Sequence, residues 1–145
     1  MGSYAYPTYA YRRPPELDGQ GSGRRPVVVI GAGPVGLAVA LDLAQHDTPV
    51  LVLDDDDTVS IGSRAICWSK RTLEILDRLG VGQRIADKGV TWSKGKVFFH
   101  DRAVYAFDLL PEGGHRMPAF VNLQQYYVEE YLIEAVAARA NCEVR

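Results

Sequence analysis

Cysteine is scarce in this chain, two among 145 residues, and Cys67 and Cys142 lie far apart with no CxxC spacing. That argues against a disulfide framework or a cysteine-based zinc site and fits a reducing compartment, the cytoplasm. Histidine is as sparse: His46, His100 and His115 are scattered without metal-ligand spacing, so no metal site is expected. No apolar run approaches the roughly 20 residues of a membrane-spanning helix, so no membrane partner is expected. Positive charge is not in excess either. A net charge of -2 withholds the basic face that a nucleic-acid partner needs. The start Met1-Gly-Ser-Tyr-Ala-Tyr6 begins like a myristoylation signal, but Tyr6 stands where Ser or Thr is required. What remains is an ordinary globular balance, 47% hydrophobic and 23% charged, at the length of one domain or part of one.

Residues 1–25 read as an arm. Four of the eight tyrosines, Tyr4, Tyr6, Tyr9 and Tyr11, sit there with Pro7, Pro14 and Pro15, ahead of the flexible run Asp18-Gly-Gln-Gly-Ser-Gly23. Such a segment builds no core of its own; it drapes over another surface or stays mobile. Its arginine pairs, Arg12-Arg13 and Arg24-Arg25, are expected in solvent.

The most informative stretch follows. Pro26–Ile30 is a short apolar strand that ends in Gly31-Ala32-Gly33-Pro34-Val35-Gly36 and flows into a helical pattern from Pro34 to His46, with Leu37, Ala40, Leu41 and Ala44 as its stripe. A second all-apolar strand, Val50–Leu53, suits a parallel strand covered on both faces. A glycine turn between a strand and a helix describes a pyrophosphate pocket. Gly31 makes the tight turn, Gly33 lets the backbone approach the phosphates, and Gly36 lets helix and strand pack closely, while the helix N-terminus offers amides and positive dipole. The unit is a Rossmann-like βαβ for an ADP-containing dinucleotide.

Further on, the pattern predicts a helix over Lys70–Leu79 with Thr72, Ile75, Leu76 and Leu79 inward and Gly80 as its cap. A short helix at Gly82–Lys88 follows, then an antiparallel hairpin of Lys96–His100 and Ala103–Asp108 around Asp101-Arg102. A long helix over Leu123–Ala140 has Val128, Tyr131, Leu132, Ala135 and Val136 inward, with Asn122 and Gln125 spaced as a capping box. Cys142–Arg145 begins a further strand. Four residues stopping mid-pattern are short of the usual 5–6, so the sequence reads as the N-terminal piece of a longer protein.

Two features separate the dinucleotides. Asp54 closes the second strand roughly 20 residues after the glycines, where a carboxylate holds the adenosine ribose and repels a 2′-phosphate, favouring FAD or NAD over NADP. The next parallel strand comes nearly ninety residues later, with a hairpin between, which disfavours a plain NAD-binding dehydrogenase module. That module, and a non-enzymatic remnant or interaction module, remain the alternatives. Asp55, Asp56 and Asp57 read as a solvated acidic loop, Cys67 as a packed thiol, Trp68 and Trp92 as core aromatics, and Tyr126-Tyr127 as packing at a helix entry.

Together, Gly31–Gly36, the Asp54 strand end, Ser63-Arg64-Ala65-Ile66 leading into Arg71–Gly80, and Asn122-Leu-Gln-Gln125-Tyr-Tyr-Val128-Glu-Glu-Tyr-Leu132 resemble the FAD-dependent aromatic hydroxylases. These are the single-component flavoprotein monooxygenases of the p-hydroxybenzoate hydroxylase and 3-(3-hydroxyphenyl)propionate hydroxylase type. The resemblance spans residues 26–145 and implies an α/β fold: a Rossmann-like FAD-binding βαβ unit with an inserted antiparallel hairpin, as an incomplete domain. It implies FAD as cofactor, NAD(P)H as co-substrate and an aromatic small molecule as substrate, one atom of O2 going to a phenolic ring. Residue by residue, Gly31, Ala32, Gly33, Pro34, Val35 and Gly36 match the pyrophosphate turn, and Asp54 the ribose carboxylate, often Glu in the family. Arg64 matches an arginine that reaches the phosphates and Gln125 a glutamine near the flavin side. No catalytic acid, base or nucleophile is implied. An Asp-Gly and a Gly-Asp element expected further along are not matched, so the 145 residues alone are expected to bind FAD weakly and to lack hydroxylase activity.

Overall fold

The computed structural model describes residues 4–21, 23–62 and 64–145. The Met1–Ser3 start, Ser22 of the glycine-serine run and Ser63 of the Ser63–Ile66 segment lie outside the described residues. The chain divides into two units, Met1–Arg64 with Gln125–Arg145, and Ala65–Gln124.

The first unit is built on three parallel strands, β1 (Val27–Ile30), β2 (Val50–Leu53) and β8 (Cys142–Val144), ordered β1-β2-β8. Val27 pairs with Val50 and Val50 with Cys142, so these side chains share a face with Val29, Val52 and Val144. Helix α1 (Pro34–Gln45) covers that face through Ala40, whose small side chain allows the close approach. Leu37, Ala40, Leu41 and Ala44 are all buried, as their spacing requires; each fully buried leucine contributes about 1.5–3 kcal/mol. β2 is buried along Val50–Val52, whereas on β1 Val28 and Ile30 are exposed.

Helix α4 (Gln125–Ala137) packs against α1 and leads through a short turn into β8. It is shorter than the predicted Leu123–Ala140. Leu123 is extended because its N–H bonds the carbonyl of Ile66 (2.8 Å), and at the other end the N–H of Arg139 turns back to Val136 (2.9 Å). Because α4 precedes β8 and α1 follows β1, both helices start at the carboxyl end of the parallel sheet, where α/β sheets bind ligands.

The second unit holds a small antiparallel sheet that the sequence pattern does not announce: β3 (Cys67–Ser69), β7 (Phe120–Asn122) and β4 (Val90–Trp92), with β7 central. Three-residue strands are too short to show alternation. Helices α2 (Lys70–Arg78) and α3 (Gly82–Lys88) join β3 to β4. On α2 the inward face is Leu73 and Leu76, continued by Leu79; Thr72 is half-buried and Ile75 is 36% exposed, a correction to the predicted face. The sequence offers two overlapping apolar stripes there, and the leucine stripe takes the core.

The predicted hairpin is present as β5 (Lys94–Phe99) and β6 (Arg102–Asp108). Its turn is one residue earlier than expected, at His100-Asp101, with His100 left-handed at φ 52°. Cys67 is exposed rather than packed, because β3 is an edge strand and turns it outward. Trp68 is buried, its indole N–H bonded to the carbonyl of Leu123 (2.8 Å). Trp92 is half-buried and stacks on Phe120 at 4.8 Å.

Candidate functional site

Gly31 follows β1 with φ 101°, a conformation that glycine adopts without strain. Its N–H continues the ladder to the carbonyl of Leu53 (2.7 Å). Gly36 lies in the first turn of α1, where a Cβ would stand 1.9 Å from the carbonyl oxygen of Gly31 and 3.3 Å from Val29. Only glycine lets the helix sit that close to the strand. Gly33 is the opposite case: a Cβ there would meet nothing within 4 Å, so the turn has open space beside its backbone. Gly33 is also the N-cap of α1, with no side-chain cap bond and with Pro34 opening the helix. The N-cap residue therefore supplies no side-chain oxygen to the first-turn amides of Val35 and Gly36, which is the arrangement that receives an anion.

Asp54 leaves β2 beside this turn. One carboxylate oxygen accepts from the N–H of Ala32 (2.5 Å), the other from the N–H of Asp56 (2.9 Å). Its own N–H donates to the carbonyl of Arg145 (2.9 Å), directly after β8. A carboxylate has about four acceptor positions, so two remain for hydroxyl groups once the backbone amides are served. The amide of Ala32 is spent on Asp54 and links the two halves of the site.

The loop after Asp54 is pinned from two sides. On one side Glu129 of α4, 2% exposed, accepts from the N–H of Ser60 (2.6 Å) and from its hydroxyl (2.8 Å). Gln125, one helical turn earlier, donates through Nε2 to Glu129 (2.7 Å) and lies 3.3 Å from the Ser60 hydroxyl. On the other side the N-terminal arm is draped, not loose: Thr8 bridges Thr58, the N–H of Tyr9 donates to Asp57 (2.7 Å), and Thr58 Oγ1 donates to the carbonyl of Pro7 (2.7 Å). Tyr4 stacks on Tyr126 at 4.2 Å, meets Tyr6 and Tyr127 edge-on, and donates its hydroxyl to Glu130 (2.8 Å). Burial, and then the Glu130 carboxylate, push the Tyr4 phenol well above its ordinary range.

The fold thus brings Gly31–Gly36, Asp54 and Gln125 to one end of one sheet. Arg64 closes the same unit and is exposed. The capping box is not formed: Asn122 belongs to β7 and its Oδ1 accepts from Trp92 (2.9 Å), while Gln125 turns to Glu129. Nor is Arg25 simply in solvent, since it bridges Glu16 (3.2 Å) and Glu143 (3.9 Å). Sequence reasoning missed Ser60 and Glu129. The available signal was the run Gln125, Glu129, Leu132, Val136, which puts two polar residues on a buried helix face. A cavity of about 190 Å³ beside Arg25, Pro49 and Asn141 opens at the amino end of the strands and is not part of this site.

A protein family described as "FAD binding domain" matches residues 24–145. The chain is 33% identical over 126 residues to the 6-hydroxy-3-succinoylpyridine 3-monooxygenase of Pseudomonas putida, covering 86% of this chain and 32% of that protein. It is also 33% identical over 128 residues to the 6-methylpretetramide 4-monooxygenase of Streptomyces rimosus, covering 86% of this chain and 22% of that protein. Among solved structures, p-nitrophenol 4-monooxygenase from Pseudomonas putida superposes with a TM-score of 0.74 at 29% identity, over 83% of this chain and 31% of that one. The chain spans a third or less of the length of these proteins. The matches bear out the resemblance to flavin monooxygenases drawn from the sequence motifs. Among the described residues, no helix is long and apolar enough to cross a membrane.

Proposed function

The chain belongs to the FAD binding domain family, and on that premise we propose that its first unit holds the ADP half of FAD in a monooxygenase that hydroxylates a phenolic ring with NAD(P)H and O2 in the cytoplasm. The observation that carries this is the cradle: Gly36 closed against Gly31, Gly33 open on its Cβ side, and Asp54 fixed beside the turn with acceptor positions to spare. In this reading the N-terminus of α1 receives the pyrophosphate, with Ala32, Pro34 and Val35 shaping the turn. Asp54 accepts from the ribose hydroxyls and repels a 2′-phosphate. Arg64 bonds the phosphates, a role its planar fork of donors suits. Gln125 lies on the flavin side. When bound, FAD supplies the redox and oxygen chemistry; these residues bind and orient it, and none of them needs to move a proton.

The 145 residues alone bind FAD weakly and do not hydroxylate. The test is equilibrium dialysis of the purified chain against FAD, ADP and the 2′-phosphate analogue of ADP, with Asp54→Asn alongside. FAD and ADP are expected to bind better than the 2′-phosphate compound, by about tenfold or more, and Asp54→Asn to narrow that preference. No preference between the three, or NAD(P)H oxidation coupled to a phenol by the chain alone, would overturn the respective claim.

A further inference from the structure

A carboxylate buried in the middle of an apolar helix stripe needs a reason. Glu129 lies between Val128 and the buried Tyr131 and Leu132, itself 2% exposed. An apolar side chain there would avoid the several kcal/mol of desolvation that a buried ion carries. Its two oxygens take three donors: the N–H and hydroxyl of Ser60 and the side-chain amide of Gln125.

The polarity of this cluster is dictated by chemistry. A carboxylate only accepts, so the Gln125 atom facing Glu129 is the nitrogen. The Ser60 hydroxyl spends its hydrogen on Glu129 (2.8 Å) and so accepts from Gln125 Nε2 at 3.3 Å. Both amide hydrogens of Gln125 then point inward, and what it offers a ligand is its carbonyl oxygen. Freed of Glu129, the amide could turn either way.

We propose that Glu129 is a positioning residue: with Ser60 it locks the Gln125 amide so that Gln125 meets the flavin half of FAD as a hydrogen-bond acceptor, selecting a hydroxyl or N–H there. The inference rests on the reading that Gln125 faces that half.

The test compares dissociation constants for FAD and for ADP, which lacks the flavin half, by equilibrium dialysis on the full chain, with thermal midpoints recorded in parallel. Gln125→Ala is expected to weaken FAD about five- to tenfold, the worth of one net hydrogen bond, and to leave ADP unchanged. Glu129→Gln gives position 129 an N–H that turns the Gln125 amide around, and FAD weakens by a similar factor with ADP again unchanged. The double exchange Gln125→Glu with Glu129→Gln keeps one amide bonded to one carboxylate, now with the amide donating from position 129, and leaves an outward oxygen at position 125, so FAD affinity returns toward the parent value. Ser60→Ala, a milder change for the case in which Glu129→Gln does not fold, weakens FAD about two- to threefold with ADP unchanged. An unchanged FAD constant in Glu129→Gln or Ser60→Ala, beside a weakened one in Gln125→Ala, sinks the positioning role and spares the placement of Gln125. An unchanged FAD constant in Gln125→Ala sinks that placement and this inference with it. Parallel loss of FAD and ADP in Glu129→Gln, or a double exchange no better than the single, makes Glu129 a fold residue only and also overturns the proposal.

Discussion

Gly33 and Gly36 stand three residues apart in one motif and respond in opposite ways to an added methyl group. At Gly36 the Cβ would lie 1.9 Å from a backbone oxygen, which no rotamer relieves. Gly36→Ala is therefore expected to destabilise by about 3 kcal/mol or more. At Gly33 the space is open and the backbone, φ -75° and ψ -178°, suits alanine. Exchanging glycine for alanine at an N-cap costs about 0.5–1 kcal/mol, while stiffening the unfolded chain returns roughly 0.4–1, so Gly33→Ala should hold its unfolding midpoint. It should lose dinucleotide affinity, because the methyl group fills the space the phosphates need. Urea unfolding and FAD dialysis on both variants check the pair; a Gly33→Ala chain that binds normally removes Gly33 from the site. This contrast was legible in the sequence, since glycine spacing between a strand and a helix states both needs. Cys67 was not legible: nothing local distinguishes an edge strand from a core one. Being exposed, Cys67 should react with iodoacetamide ahead of Cys142, whose thiol burial pushes up; mass spectrometry of a time course shows the order.

Among the elements, those with long apolar periodicity were legible and the short ones were not. Helix α1, β2 and most of α4 follow from their stripes, whereas β3, β4 and β7 owe their extended form to pairing partners up to fifty-five residues away, as Cys67 with Asn122. The start of α4 shows the same competition, its capping pattern giving way once Trp92 takes Asn122. The site divides likewise: the turn and Asp54 are readable, but the bond from Glu129 to Ser60 spans sixty-nine residues. The arm is the element whose role the structure adds. Its tyrosines fasten residues 4–9 to α4 and to the loop after β2. Tyr4→Phe, which loses only the bond to Glu130, should cost about 0.5–1.5 kcal/mol. Tyr4→Ala, which also loses the ring contacts, should cost about 2–3 kcal/mol, since each aromatic pair adds about 0.5–1.5. Urea midpoints equal to the parent in both variants would mean that the arm contributes nothing in solution.

For the whole molecule, charge matters less by its total than by where one cluster sits. Arg145 reaches Glu16 (2.7 Å) and Glu143 (2.7 Å) with its side chain 8% exposed, and Arg25 joins them, so four charges fasten the segment before β1 to the end of β8. The Glu16 carboxyl is held down from its ordinary value near 4.5 to about 2, by its own backbone N–H and then by the Arg145 and Arg25 guanidiniums. Glu143 is lowered as well, chiefly by its bond to Arg145. A carboxyl lowered on folding binds fewer protons in the native state than in the unfolded one. Its contribution is therefore complete above the ordinary value and drains away as pH falls toward the lowered one. The cluster should accordingly stabilise the chain at neutral pH and fade between about pH 5 and 2. Glu16→Gln removes the titrating group and should lower the neutral-pH midpoint slightly while flattening its fall through that window. Because these carboxylates face water, salt screens them, and 1 M NaCl should shrink the difference between parent and variant. Unfolding curves measured from pH 7 to pH 2 that fall in parallel for both proteins would show that acid acts elsewhere in the molecule.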